Sequence, residues 1–453
     1  MPTVRADDAL ATTLGDDAIQ YLQALVRLHT VSPPGNEIQA TDFIGAILER
    51  AGIEYTVVES APGRANLVAR LRATNPTGKP VMLMGHTDVV SVEPDKWLHD
   101  PFGAEVIDDF IWGRGTLDMK NQVAAQLAAF LAIKQANLPL TRDVIYAAFA
   151  DEEVSGELGA GWVYANHRDL IDAEFALNEG GGGQIDLGGA RFYTCGTGEK
   201  GQSILEVTFR GKPGHASTPI PDTAMDKLAI ALDRLRAWTP PLTITEPVEA
   251  MLAGIGAVLG GETATEIDRL LALESPQWSD FEALPLSESD RLRFWAVTHH
   301  TAVPTLVEAG NRINVIPSEV KLGIDCRLVA GTTPEEWRQT VQDVIGDVGE
   351  VALVNRNPGI GFDPDSPFFD AIRATLTHLV PEANLIPNLI GGRTDAAWFP
   401  DIKVYGFFPK APVDRGDAYE GTVHGHNERI HVDDVRFSAR FAYDLIATFA
   451  TSQ

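Results

Sequence analysis

Apolar positions recur every three or four residues across 16–52, first in Asp16-Asp17-Ala18-Ile19-Gln20-Tyr21-Leu22 and again after Ile38, which predicts two helices. Ser32-Pro33-Pro34-Gly35-Asn36 breaks them with turn chemistry. Short strands are expected at 54–58 and 66–72. Pro80-Val81-Met82-Leu83-Met84-Gly85 is then a nearly unbroken apolar run, the pattern of a strand buried on both faces. His86, Thr87 and Asp88 stand just past its end. A second such strand, 144–150, ends in Asp151-Glu152-Glu153, and a third, 175–179, runs into four glycines. An Ala-rich helix is expected over 119–137. Three buried strands thus end in acids or histidine, where ligands gather in α/β sheets.

Farther along the pattern changes. Strands are expected at 204–210, 301–308, 320–328 and 351–355, with helices at 224–238 and 335–345. That order, βαββαβ, is the ferredoxin-like plan. Residues 240–298 interrupt it with a helical insertion. Buried-strand patterns then return at 402–408, and a helix is expected over 435–450. The fold class is therefore α/β. A mixed-sheet catalytic domain of residues 1–198 and 357–453 carries an inserted α+β domain at 199–356. A chain of 453 residues is long for a single core, which fits this division.

His86-x-Asp88, Asp118, Glu152-Glu153, Glu179 and His424-x-His426 all fall at predicted strand ends or loop starts. Zinc in a cysteine-poor protein takes His nitrogen and carboxylate oxygen. A two-metal site also needs a carboxylate that bridges ions about 3.5–4 Å apart. Asp88 is close enough in sequence to orient His86 through its second ring nitrogen, although a surface loop with an incidental His and Asp reads the same way. Glu152 and Glu153 leave their strand in different directions, so one can bind metal while the other takes a proton from the nucleophilic water. An acidic pair opening a solvated loop has the same sequence. Spacing does not choose between His424 and His426.

A longer series of motifs adds to this. His86-Thr87-Asp88-Val89-Val90, Trp97, Asp100-Pro101-Phe102 and Gly113-Arg114-Gly115-Thr116-Leu117-Asp118-Met119-Lys120 are followed by Asp151-Glu152-Glu153-Val154-Ser155-Gly156 and Asn178-Glu179-Gly180-Gly181. Gly214-His215-Ala216-Ser217, Asn314-Val315-Ile316-Pro317, Asp325-Cys326-Arg327, Gly392-Arg393-Thr394-Asp395 and His424-Gly425-His426-Asn427-Glu428 complete the series. In this order the chain resembles the family of aminoacylases, glutamate carboxypeptidases and succinyl-diaminopimelate desuccinylases. The resemblance implies a dizinc exopeptidase-like catalytic domain, with the inserted domain as lid and dimerisation surface of a homodimer. It implies that His86 and Glu179 hold one Zn2+, Glu153 and His424 the other, and that Asp118 bridges them, with Co2+ or Mn2+ as substitutes. Asp88 would orient His86, and Glu152 would act as general base and then general acid. The family ligand stands four residues before a Glu, which selects His424 ahead of Glu428.

His215 would reach into a neighbouring subunit and stabilise the developing oxyanion, with Asn314 helping in the same contact. The family's Thr-Asp-x-Arg reads Thr394-Asp395-Ala396-Ala397 here. The substrate-carboxylate fork is therefore open between Arg393, beside Thr394, and Arg327; Arg327 reads equally as a structural ion pair. The implied function is zinc-dependent hydrolysis of the amide bond of an N-acyl amino acid or short peptide by metal-activated water. A dipeptidase or carboxypeptidase is the alternative to a deacylase. A non-catalytic metal-dependent binding protein on the same fold stands farther off, since the base and every ligand are present.

The net charge of −27 is spread along the chain and repels polyanions, which excludes nucleic acid as a partner. Cys195 and Cys326 are too few for a disulfide framework and are expected as buried thiols. No apolar stretch reaches 18 residues, so no membrane span is expected. The first 17 residues lack a basic start followed by an apolar run, which leaves a cytoplasmic location as the default.

Overall fold

Asp7 starts the first helix. Its side chain accepts the Leu10 N–H, so the helix spans Asp8–Val26 and begins ahead of the visible periodicity. The second helix, Ile38–Arg50, follows the Pro33-Pro34 turn. The computed structural model describes residues 4–282, 284, 286–413 and 420–452. They divide into two compact units, one of 1–196, 362–386 and 394–453, the other of 197–361 and 387–393. Residues 387–393, assigned by sequence to the catalytic domain, group with the second unit. Two hydrogen bonds hold them there: Lys200 N–H donates to the Ile390 carbonyl, and the Thr197 side-chain hydroxyl to that of Asn388.

In the first unit four strands run parallel, in the order Val144–Phe149, Val81–His86, Phe175–Asn178 and Lys403–Gly406. Every residue of the first three is buried, as their apolar runs require. Tyr55–Ala61 and Arg64–Leu71 add antiparallel strands at one side, and Gly196 pairs antiparallel with Gly406 at the other. The sheet is therefore mixed, and its parallel strands deliver His86, Glu152, Glu153 and Glu179 to the same edge.

The Lys120–Gln135 helix is buried from residue 120 to 133. It packs against the Asp8–Val26 and Val432–Thr451 helices as well as the sheet. A helix covered all round has no polar face, which explains its alanines. A smaller sheet joins Glu105–Ile107, Phe110–Trp112 and Arg429–His431. Its Arg429–Trp112 register brings the end of the chain beside the loop at Gly113.

The second unit has a four-stranded antiparallel sheet, in the order Thr301–Ala309, Glu319–Leu328, Gly201–Arg210, Glu350–Leu353. Helices Ala224–Ala237 and Pro334–Ile345 pack on it. Both open with capping boxes, Thr223 with Asp226 and Thr333 with Glu336. Along the chain the order is βαββαβ. The insertion is helical, with Glu246–Leu259, Gly261–Leu271, Trp278–Phe281 and Glu288–Thr298. Trp337 is buried with its ring 5.4 Å from Trp238. Cys195 and Cys326 are free and buried. Among the described residues no helix is long and apolar enough to cross a membrane.

Ala124 is fully buried in the central helix. Ala124→Leu is expected to overpack it at a cost of about 1–3 kcal/mol. The change should appear as a lower urea midpoint for the first unit, and an unchanged midpoint would show a void there.

Candidate metal centre

His86 ends its strand with no solvent exposure. Its Nδ1 lies 3.0 Å from the Asp88 carbonyl, which can only accept, so Nδ1 carries a proton and Nε2 is the nitrogen turned to the cluster. That Nε2 faces three carboxylates: Asp118 Oδ1 at 3.1 Å, Glu179 Oε1 at 3.6 Å and Glu152 Oε2 at 3.7 Å. The other oxygen of Asp118 lies 2.9 Å from His424 Nε2, and Glu153 Oε2 lies 3.0 Å from the same nitrogen. Asp118 thus spans two histidines, one with each oxygen. His424 is 53% exposed, so the cluster opens to solvent on that side. His426 points elsewhere, its Nε2 being 3.0 Å from Glu93 Oε2.

Four carboxylates face two imidazoles here, so even two imidazoliums leave two negative charges unmatched. Protons supply part of the balance. Burial pushes Glu152 well above the usual carboxylate range, with Asp395, Asp118 and Glu153 adding to it against the pull of His86. Burial and Asp118 do the same to Glu179. Hydrogen bonds to Asp118 and Glu153 raise His424 to about 10. Burial opposes charge on His86, yet the surrounding carboxylates, Glu152 and Glu179 foremost, hold it well above its ordinary value.

Cations fit the same positions. His86, Glu152 and Glu179 form one group whose ligand atoms lie within 4.8 Å of one another, and His86, Asp118 and Glu153 form another. Tetrahedral zinc with bonds of about 2.0–2.1 Å places its ligand atoms about 3.4 Å apart. The observed separations of 2.9–3.7 Å bracket that spacing. Glu153 Oε1 is buried without a hydrogen-bond partner, as an atom reserved for an ion would be.

Buried ion pairs hold the loops behind the cluster. The Asp88 carboxylate was expected to orient His86. It accepts the main-chain N–H groups of Glu152, at 3.2 Å, and Glu153, at 3.1 Å. One of its oxygens also lies 3.5 Å from His86 Nδ1, beside the Asp88 carbonyl at 3.0 Å, so the same residue holds the imidazole and the Glu152–Glu153 turn. Arg64 donates to Glu37, at 2.7 and 2.8 Å, and to Asp151 Oδ1, at 2.8 Å, beneath the same turn. Glu428 and Arg114 form a second buried pair. Lys120 is buried too, donating to the Leu25 and Leu28 carbonyls, and burial lowers its amine to about 7. Sequence reading missed these roles for Arg64, Glu37 and Arg114, because buried pairing between distant residues leaves no local spacing. Their one signal is a charged residue inside an otherwise small or apolar stretch.

Thr394 belongs to the first unit, where its Oγ1 accepts Asn178 Nδ2 at 3.0 Å, one residue before Glu179. The other expected substrate residues, with His215, belong to the second unit. His215 and Asn314 share one short ribbon: Gly214 and His215 pair with Ile316 and Val315, and the Ala216 N–H donates to the Asn314 carbonyl. Ser217 N–H donates to His215 Nδ1 at 3.2 Å, so the His215 proton is on Nε2. Arg327 is paired in its own strand with Asp325, at 2.9 and 3.4 Å. Arg393 is half-buried.

The N-fatty-acyl-amino acid synthase/hydrolase PM20D1 of Xenopus tropicalis is 27% identical, over 97% of this chain and 88% of its own. The M20 family metallo-carboxypeptidase of Sulfolobus solfataricus shares the fold at a TM-score of 0.71, with 18% identity, over 96% of this chain and 100% of that one. A dinuclear metal-binding peptidase of the M20 family from Bacillus subtilis matches at a TM-score of 0.63, with 13% identity, over 99% and 100%. The model of peptidase family M20/M25/M40 matches residues 82–448, from the strand that carries His86 to the last helix, and the chain belongs to that family.

Proposed function

We propose that this enzyme hydrolyses the amide bond of an N-acyl amino acid or short peptide at a pair of Zn2+ ions. The observation that carries the reading is Asp118, whose two oxygens face two different histidines at 3.1 and 2.9 Å. His86 and Glu179 would hold one ion, Glu153 and His424 the other, and Asp118 both. When bound, the ions polarise the scissile carbonyl and acidify water.

Glu152 is the carboxylate left over in this assignment. It accepts a proton from the attacking water and returns it to the leaving nitrogen. Its Oε2 lies 3.7 Å from His86 Nε2, beside the place proposed for the ions, where a carboxylate can take up and return a proton. The Asp88 carboxylate fixes the Glu152 main chain and so aims that side chain.

Further features support the rest of the reading. Nε2–H of His215 is the right donor for an oxyanion, and its exposure suits a site in a second copy of the chain. The second unit would then be the dimerisation surface. Arg327 is engaged by Asp325, and Arg393, beside Thr394, is the other candidate fork for a substrate carboxylate. The acyl-amino-acid chemistry in the name of one relative and the carboxypeptidase chemistry in that of another share a scissile amide next to a carboxylate-bearing residue. Two unpaired buried cysteines agree with a reducing, cytoplasmic setting.

Glu152→Gln should lower kcat by about 100- to 10,000-fold while metal content, read by elemental analysis, stays at the wild-type level. Retention of most activity would remove Glu152 as the base. Chelation should abolish hydrolysis across a panel of acetylated amino acids and dipeptides, and Zn2+ should restore it; activity that survives verified metal removal rejects the metal reading. Mixing inactive His215→Ala and Glu152→Gln proteins should regain part of the activity through hybrid dimers. No recovery after demonstrated subunit exchange would confine His215 to another role.

A further inference from the structure

Glu428 entered the sequence reading only as a landmark after His424. The fold gives it a task. Arg429 pairs with Trp112, so Glu428 stands opposite Gly113, whose N–H donates to the Glu428 carbonyl at 2.9 Å. The Glu428 side chain is fully buried. Its Oε1 accepts three main-chain N–H groups of one loop: Gly115 at 3.0 Å, Leu117 at 2.7 Å and Asp118 at 3.2 Å. Its Oε2 meets Arg114 Nη1, and Arg114 Nη2 donates to the Gly425 carbonyl at 2.9 Å.

These bonds join two segments. Glu428 is tied to residues 113–115, 117 and 118, and Arg114 also ties the loop to Gly425. Next to Gly425, His424 Nε2 meets Asp118 Oδ2 at 2.9 Å. The loop has little room to adjust by itself. Gly115 sits at φ +87°, and a Cβ there would lie 2.7 Å from Val89 Cγ1. His86 and Glu152 are anchored separately, by Asp88.

The geometry points to Glu428 as a positioning residue that fixes Asp118 against His424, and so governs the cation position of Asp118, Glu153 and His424 more strongly than that of His86 and Glu179, which shares Asp118 but whose His86 is anchored elsewhere. A carboxylate accepting three amides locks the loop that carries the shared ligand, and partners of this kind typically contribute 10- to 100-fold in metal affinity. The inference rests on the two-cation reading above.

Co2+ titration of the full-length protein, followed by equilibrium dialysis and d–d absorption, tests it. Wild type should bind two ions. Glu428→Ala should bind one with affinity close to wild type and the other about 10- to 100-fold more weakly. At one equivalent its spectrum should match that of His424→Ala, not that of His86→Ala. Two ions bound with unchanged affinity, an equal weakening of both, or a spectrum matching His86→Ala would overturn the assignment. Wild type binding fewer than two ions would instead overturn the two-cation reading itself. If Glu428→Ala fails to fold, as judged by circular dichroism, Glu428→Gln decides. It keeps one acceptor oxygen but loses the charge that holds Arg114, so selective weakening of the same position is expected, and wild-type binding at both positions counts against the role.

Discussion

An uncompensated concentration of negative charge at one edge of a buried parallel sheet governs this molecule. Four carboxylates and two imidazoles converge where the strands end, in surroundings that penalise charge. Such a cluster is tolerable only if protons or cations share it. The raised proton affinities of Glu152 and Glu179 show the first solution, and the spacing of the ligand atoms suits the second. The strand order, the close-packed alanine helix behind the sheet and the buried arginines all keep these acids from drifting apart.

Carboxylates serve two purposes here, and what each faces decides which. Asp118, Glu153 and Glu179 face imidazoles and one another. Asp88 and Glu428 face main-chain N–H groups, accepting two and three of them. The first kind offers lone pairs to an ion. The second kind uses them up in holding loops. Arg64 and Arg114 finish the separation by neutralising acids that must not compete for the ions.

Much of this was legible in the sequence, for physical reasons. Strands buried on both faces are written as unbroken apolar runs, so the ends at His86, Asp151 and Asn178 could be located. The ferredoxin-like order of the second unit followed from alternating patterns that survive a helical insertion. What stayed hidden depends on pairing across long separations. Asp88 lies two residues from His86, which made the local contact legible, but its carboxylate also accepts from the Glu152–Glu153 turn 64 and 65 residues away, which did not show. The grouping of 387–393 with the second unit rests on bonds to main-chain carbonyls from Thr197 and Lys200, and carbonyl acceptors leave no residue signature. The first helix began early because an Asp cap precedes a weakly amphipathic turn.

The first unit is also discontinuous, and this bears on how the chain is made. The ribosome releases His86, Asp118, Glu153 and Glu179 early, then the whole of 197–361, and only afterwards His424 and the Val432–Thr451 helix that covers the alanine helix. Until then the nascent chain carries exposed apolar strands beside an acidic centre that lacks one of its two histidines. The second unit, nearly contiguous, can mature in the meantime, so late-stage truncations threaten catalysis and solubility together while leaving the inserted module largely intact.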